Sequence, residues 1–210
     1  GLPTLTATPK RGAGATPKPT ASVAVAAPSP QAPAPDDVLR ALTDGNAAFV
    51  AGKAVHPHQD GARLHETAAG QHPIATVLSC SDSRVPAELV FDEGVGDVFS
   101  VRVAGNVADT DELGTIEYGV DHLGTPLLVV MGHTACGAVT AVATDAEVHG
   151  HIPELVDNIK RAVDRAKAAA PGKEGKEVVG AAIVENVRQS MADIITESAL
   201  VRARLRDGKT

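Results

Sequence analysis

The chain has 210 residues, enough for one sizeable core in one domain, and no apolar run approaches the ~18 residues of a membrane span, so it reads as a soluble protein. Hydrophobic residues make up 43% but aromatic ones only 2% (three Phe, one Tyr, no Trp), so the core must be aliphatic. The net charge of −7 divides into +3 on residues 1–35 and −10 on the rest; an acidic body argues against a nucleic-acid partner and suits a small neutral substrate.

Residues 1–35 hold eight of the fourteen prolines, spaced by Ala, Thr and Ser, with neither helical nor strand periodicity. Such a composition cannot bury a core and is expected to be an extended or disordered tail or linker. The chain starts with Gly, and Ala21–Ala27 is the one apolar patch of this stretch. The stretch therefore reads either as linker left behind a removed export signal, placing the protein in the periplasm, or as a simple tail on a cytoplasmic protein.

Order is expected from Asp36, with 36–210 as the catalytic domain. Asp36 and Asp37 can cap a helix of about fifteen residues carrying Val38, Leu39, Leu42, Ala47 and Phe49. Arg63–Ala69 reads as a short second helix. Between them, His56-Pro57-His58 lacks a partner at ligand spacing and reads as a solvated loop. Ile74–Ser79 is an apolar run without alternation, which suits a strand buried on both faces of a parallel sheet. A short helix is expected over Pro86–Val90, a strand over Val98–Val103, and a helix over Asp111–Leu123 with Leu113, Ile116, Val120 and Leu123 on one stripe. A third strand is expected over Pro126–Met131 and a helix over Ala135–Ala143. Ile152–Ala170 is amphipathic and stopped by Pro171-Gly172. Val178–Arg206 is a long helical region with a seven-residue rhythm through Val184, Val187, Met191, Ile194, Val201 and Leu205, recapped at Ser198 and ended by Gly208. Strands alternating with helices predict an α/β fold: a mainly parallel central sheet, flanked by helices, with a long C-terminal helical region.

Two stretches at strand ends carry the chemistry: Cys80-Ser81-Asp82-Ser83-Arg84 and His133-Thr134-Ala135-Cys136-Gly137. Ligands and catalytic groups gather at the C-terminal ends of strands in open α/β sheets. Cys80 and Cys136 are the only cysteines, so structural zinc sites with three or four thiolates are impossible. Cys80, His133 and Cys136 as three zinc ligands, with a fourth position open to water, is the natural fit. Water on such a zinc loses its proton far more readily than bulk water. Asp82 can accept a hydrogen bond from that water, and Arg84 can hold the carboxylate off the metal through a bidentate pair. Either motif alone is weak, because buried free cysteines are common core residues; together in one α/β chain they are much stronger. A redox role for a Cys80–Cys136 disulfide is a more distant reading.

With these residues in view, the sequence resembles the β-class carbonic anhydrases. The resemblance rests on CSDSRVP at Cys80–Pro86, VRVAGN at Val101–Asn106, GTIEYGVDHLG at Gly114–Gly124 and GHTACGAV at Gly132–Val139. It implies a lyase that reversibly hydrates carbon dioxide to bicarbonate and a proton by zinc-bound hydroxide. It further implies one Zn2+ per chain on Cys80, His133 and Cys136, the Asp82–Arg84 dyad beside it, and a homodimer or a dimer of dimers (homotetramer). Phe99 and Tyr118 match the family's two aromatic pocket positions and Gln71 its amide donor, some of them contributed by the partner chain. Backbone N–H groups near Gly137 complete the substrate contacts. All three pocket residues together imply the subtype whose zinc position stays open. Family members continue into a final strand after the last helix, whereas this sequence stops at Thr210, where that strand would begin. Two other functions are compatible with these residues: hydrolysis of carbonyl sulfide or carbon disulfide on the same scaffold, and non-catalytic binding of zinc or bicarbonate.

Overall fold

The structure is a computed structural model that describes residues 33–210. The expectation for residues 1–35 therefore falls, apart from its last three positions, outside the described residues. Three strands, β1 (Ala75–Cys80), β2 (Val98–Val103) and β3 (Leu128–Met131), form a parallel sheet in the order β2-β1-β3. β1 is central and buried along its whole length, which is why its sequence shows no polar alternation. Its register sets Cys80 opposite Val103 of β2 and Ser79 opposite Met131 of β3. Cys80 thus stands level with the residue after β3, and the segment carrying His133 begins beside it.

Helices α1 (Pro35–Val50), α2 (Gly61–Glu66), α3 (Ala87–Val90), α4 (Thr110–Glu117), α5 (Gly137–Ala143), α6 (Ile152–Ala169), α7 (Val179–Glu197) and α8 (Ala199–Arg206) cover the sheet. On one face, Val38 and Leu42 of α1 and Ala87 of α3 pack on Ala75 and Val77 of β1. On the other, Ile116 of α4, Ile194 of α7 and Val201 of α8 pack on Leu78 and Val101. A third cluster, at the C-terminal end of β1, joins Cys80 and Cys136 to Val139 of α5, Ile159 and Val163 of α6, and Ala182 of α7.

Most boundaries fall where the local chemistry places them. Ser198 ends α7 and caps α8 through its hydroxyl, which accepts from the Val201 N–H. Asp109 and Glu112 form a capping box at the start of α4, two residues before the expected start at Asp111. α4 runs on into one π-helical turn, Tyr118–His122, so the predicted helix over 111–123 is continuous but loosened in its last turn.

Three details differ from expectation. Asp36 and Asp37 sit in the first turn of α1, with Ala34 as the N-cap and Pro35 at the first helical position. Proline is pre-set for that position and lacks the N–H that a cap would satisfy. Leu39 and Phe49 of the expected stripe are 51% and 40% exposed, because α1 lays only Val38 and Leu42 against the sheet. The apolar rhythm of the C-terminal region is buried only in part: Ile194 and Val201 are in the core, but Val184 and Met191 are each 49% exposed, while Asn186, Gln189 and Ser190 of α7 are buried. A stripe read from side-chain hydrophobicity cannot reveal which polar groups a neighbouring backbone needs.

Leu78 is fully buried at the centre of the sheet. Leu78→Ala should lower unfolding free energy by about 2–5 kcal/mol, through lost transfer energy and the cavity left behind. Urea unfolding should show an earlier midpoint with an unchanged slope; an unchanged midpoint would contradict this packing.

Candidate metal centre

Three elements deliver the donor atoms. Cys80 is the last residue of β1, His133 follows β3 by two residues, and Cys136 is the N-cap of α5. The turn between His133 and Cys136 passes through Ala135 at φ 55°, a left-handed conformation that reverses the chain within three residues. One donor atom from each of Cys80, His133 and Cys136 lies within 4.8 Å of the others. The residues read as a triad from spacing are therefore together in space. Cys80 and Cys136 are 5% and 1% exposed, and both are free thiols, so the disulfide of the redox reading is not formed.

The set fits a zinc ion on its own chemistry. His133 Nδ1 lies 2.9 Å from the Thr134 carbonyl, the geometry of an Nδ1–H donor. That tautomer leaves a lone pair on Nε2, which is buried with no hydrogen-bond partner. A buried acceptor without a donor is costly unless something takes its lone pair, and two soft sulfur donors stand beside it. The Cys80 thiol is pulled down by the Cys136 thiol, against the effect of burial, and by the Gly105 N–H, which donates to Cys80 Sγ at 3.3 Å. Cys136 is pushed up by the neighbouring Cys80 sulfur and by burial, so the two thiols do not ionise independently. Cys2His matches the catalytic type of zinc site, with three protein ligands.

Asp82 lies beside this set, its Oδ2 3.8 Å from His133 Nε2. Arg84 clasps it with both ends of the fork, Nε to Oδ1 at 2.8 Å and Nη2 to Oδ2 at 2.7 Å. The Arg84 backbone N–H adds a third bond to Oδ1 at 2.9 Å. These bonds, the side-chain pair first, hold the Asp82 carboxyl far below the usual carboxylate range. Arg84 Nη2 also reaches the Ala135 carbonyl at 3.1 Å and so ties the two motifs together.

Spacing did not single out Arg102 or Gly105. Arg102 donates to the carbonyls of Cys80 and Asp82, at 3.1 Å and 2.7 Å, and fixes the backbone that carries both side chains. Gly105, at φ 78°, presents its N–H to Cys80; a Cβ there would lie 2.6 Å from Ile159 Cδ1. The one legible signal was the lone Gly in the VRVAGN stretch, just after a strand.

Gln71, Phe99 and Tyr118 lie elsewhere. Phe99 pairs with Thr76, four residues before the Cys80–Val103 level, about 13 Å away at ~3.3 Å per strand residue. Its ring stacks obliquely on Tyr118, centroids 5.8 Å apart. Gln71 is exposed and precedes β1, at the same end of the sheet. These three residues thus stand apart from the Cys80–His133–Cys136 set of their own chain, and Tyr118 is 42% exposed. Gly137 is exposed at the first turn of α5, next to Cys136.

His56 and His58 lie in a loop with half-exposed side chains, as expected, but His58 is also tied down. His58 Nδ1 meets Asp97 Oδ2 at 2.6 Å, and Asp97 Oδ1 accepts from Arg63 at 2.7 Å. This network ties α2, the helix ahead of Gln71, to the residue preceding β2. Burial, and next the charge of Asp97, push the nearby Glu93 carboxyl up to about 7.

A protein-family model described as carbonic anhydrase matches residues 75–210. The Mycobacterium tuberculosis protein named "Carbonic anhydrase 2" is 38% identical over 173 residues, 80% of this chain and 81% of its own length. The β-carbonic anhydrase CafA of Aspergillus fumigatus superposes with a TM-score of 0.63 at 27% identity, covering 82% of each chain. A tetrameric β-carbonic anhydrase of Sordaria macrospora gives 0.62 at 26% identity, covering 81% of this chain and 87% of its own.

The Glu93 shift has a testable sign. Its pKa is raised in the folded chain, so the stability it contributes is complete below about 4.5 and is lost as pH rises through about 7. Glu93→Gln should flatten the fall in urea midpoint across that window. Parallel pH profiles for the two proteins would rule the shift out.

Proposed function

Since this chain belongs to the β-class carbonic anhydrases, we propose that it catalyses the reversible hydration of carbon dioxide to bicarbonate and a proton, with one zinc ion held by Cys80, His133 and Cys136. The observation that carries this reading is the convergence of two thiols on a buried His133 Nε2 that has no other partner. Zinc, when bound, supplies Lewis acidity that makes a coordinated water strongly acidic.

The chain's own groups do the rest. Asp82, kept ionised by Arg84, is an acceptor beside the metal ligands and orients the attacking water by taking one of its protons in a hydrogen bond. Arg84 has a second task. With its carboxylate engaged by three donors, Asp82 is not free to serve as a further metal ligand, which fits the open-site subtype. Gly137, at the start of α5, offers backbone N–H for the oxygens of substrate and product.

Gln71, Phe99 and Tyr118 supply the substrate wall, but to a neighbouring chain. Their place, about 13 Å along the strands from their own Cys80, supports this reading. A homodimer is then the smallest complete enzyme, and a dimer of dimers is consistent with the tetrameric Sordaria relatives. Residues 36–210 constitute the catalytic domain. No helix among the described residues is long and apolar enough to cross a membrane.

Purified protein should contain one zinc per chain and hydrate carbon dioxide in stopped-flow assays, with carbonyl sulfide tested alongside. Zinc-replete protein active only on carbonyl sulfide, or on neither, would overturn the assignment. Asp82→Asn should slow hydration by about 10–100-fold with zinc retained; unchanged kinetics at full occupancy would remove its role. Mixing Cys80→Ala chains with Gln71→Ala/Tyr118→Ala chains should restore activity, because hybrid dimers contain one intact site. No restoration in confirmed hybrids would place the wall on the same chain as the metal.

A further inference from the structure

The buried polar stripe of α7 has no counterpart in the chemistry described so far. Asn186 and Ser190 are 1% and 2% exposed, on a helix face that otherwise packs with Ala182 and Ile194. Burying such groups is unfavourable unless their hydrogen bonds are made. Both are made to one target, the turn Ala104–Asn106 between β2 and α4. Asn186 Nδ2 donates to the Gly105 carbonyl at 2.6 Å, and Ser190 Oγ faces the Asn106 carbonyl at 2.8 Å, nearer than the Asn186 carbonyl of its own helix at 3.0 Å.

That turn has an unusual backbone. Gly105 and the following Asn106 both have positive φ, 78° and 45°. Two successive residues in that region, one of them not glycine, persist only when the surroundings hold them. The product of the conformation is the aim of one N–H group: Gly105 N donates to Cys80 Sγ. From below, Ile159 and Ala138 close the space at Gly105, where a Cβ would lie 2.6 Å and 3.2 Å from their side-chain atoms. From the side, the two α7 groups pin the carbonyls of Gly105 and Asn106. With both carbonyls held, the peptide ahead of them has little freedom, and its N–H stays on the sulfur.

We propose that Asn186 and Ser190 are positioning residues for the metal centre: they hold the Gly105 turn so that its N–H donates to the Cys80 sulfur, and they thereby set the strength of metal binding. This rests on the reading of Cys80 as a metal ligand. Neither residue touches metal or substrate. They act from eighty or so residues away in sequence, through the backbone of the turn. An N–H to a ligating thiolate withdraws charge from the sulfur and fixes its direction, and outer groups of this kind alter metal affinity by about 10–100-fold.

The test uses the full chain loaded with zinc or with cobalt(II). Zinc affinity is read by competition with a chelator, and the cobalt–thiolate charge-transfer band by near-ultraviolet absorption. Asn186→Asp, which keeps the shape but removes the donor, and Ser190→Ala should each weaken zinc binding within that 10–100-fold range and shift the band. Ser190→Thr, which keeps the hydroxyl, should restore both. Gln189→Ala removes a bond on the same helix, to Asp193, and should lower thermal stability without moving affinity or band. Folded Asn186→Asp or Ser190→Ala with wild-type zinc affinity and an unshifted band would overturn the proposal. If Asn186→Asp does not fold, Ser190→Ala decides by the same two readouts. If the unmodified chain binds cobalt without any thiolate band, the ligand reading itself has failed, and the anchor with it.

Discussion

Parallel pairing of β1 with both β2 and β3, at one register, underlies every other feature of the site. It sets Cys80 level with Val103 and places the chain leaving β3 alongside it. Each strand then delivers its continuation to the same place. β1 gives Cys80 and the Asp82–Arg84 loop, β2 gives the Gly105 turn, and β3 gives His133 and Cys136. A slip of one residue would turn Cys80 to the other face of the sheet. The register is in turn held by burial on both sides of β1, where Val77 packs toward α1 and Leu78 toward α4, α7 and α8.

At that end of the sheet the chemistry is one of polar groups kept satisfied in a small volume. Asp82 is engaged by Arg84, the Cys80 and Asp82 carbonyls by Arg102, and the Cys80 sulfur by Gly105. His133 Nε2, beside the two thiols, is buried and has no hydrogen-bond partner. Fixing the remaining groups in advance spares the site reorganisation during reaction.

The two ends of the strands are chemically unlike. The C-terminal end carries thiols, an imidazole and an arginine–carboxylate pair. The N-terminal end carries Gln71, Phe99 and Tyr118, and the Arg63–Asp97–His58 network just ahead of β2. Phe99 thus lies about 13 Å along the strands from the Cys80 end, the separation on which the proposed two-chain site rests. The scarcity of aromatics then has a consequence: with one Tyr and three Phe in the whole chain, two of the four rings meet at this exposed end.

Much of this was legible in the sequence, for local reasons. The apolar run before Cys80 reads as a buried parallel strand because it shows no polar alternation. Ser198 reads as a cap because a hydroxyl at a helix start has an N–H to accept. The scarcity of cysteine narrows any thiolate site to Cys80 and Cys136, and the spacing adds His133, whose donor atom lies close to both. What the sequence could not determine involves partners remote in the chain. Asn186 and Ser190 look like breaks in an apolar rhythm until Gly105 and Asn106 lie against them, eighty-one and eighty-four residues away. Arg102 looks like a solvated strand residue until the Cys80 carbonyl is beside it. Type, spacing and periodicity are properties of neighbours along the chain, and they specify strands, caps and ligand identities. The direction of an N–H toward a sulfur, and the choice of which helix face is buried, depend on distances between segments, and only the packed chain sets those.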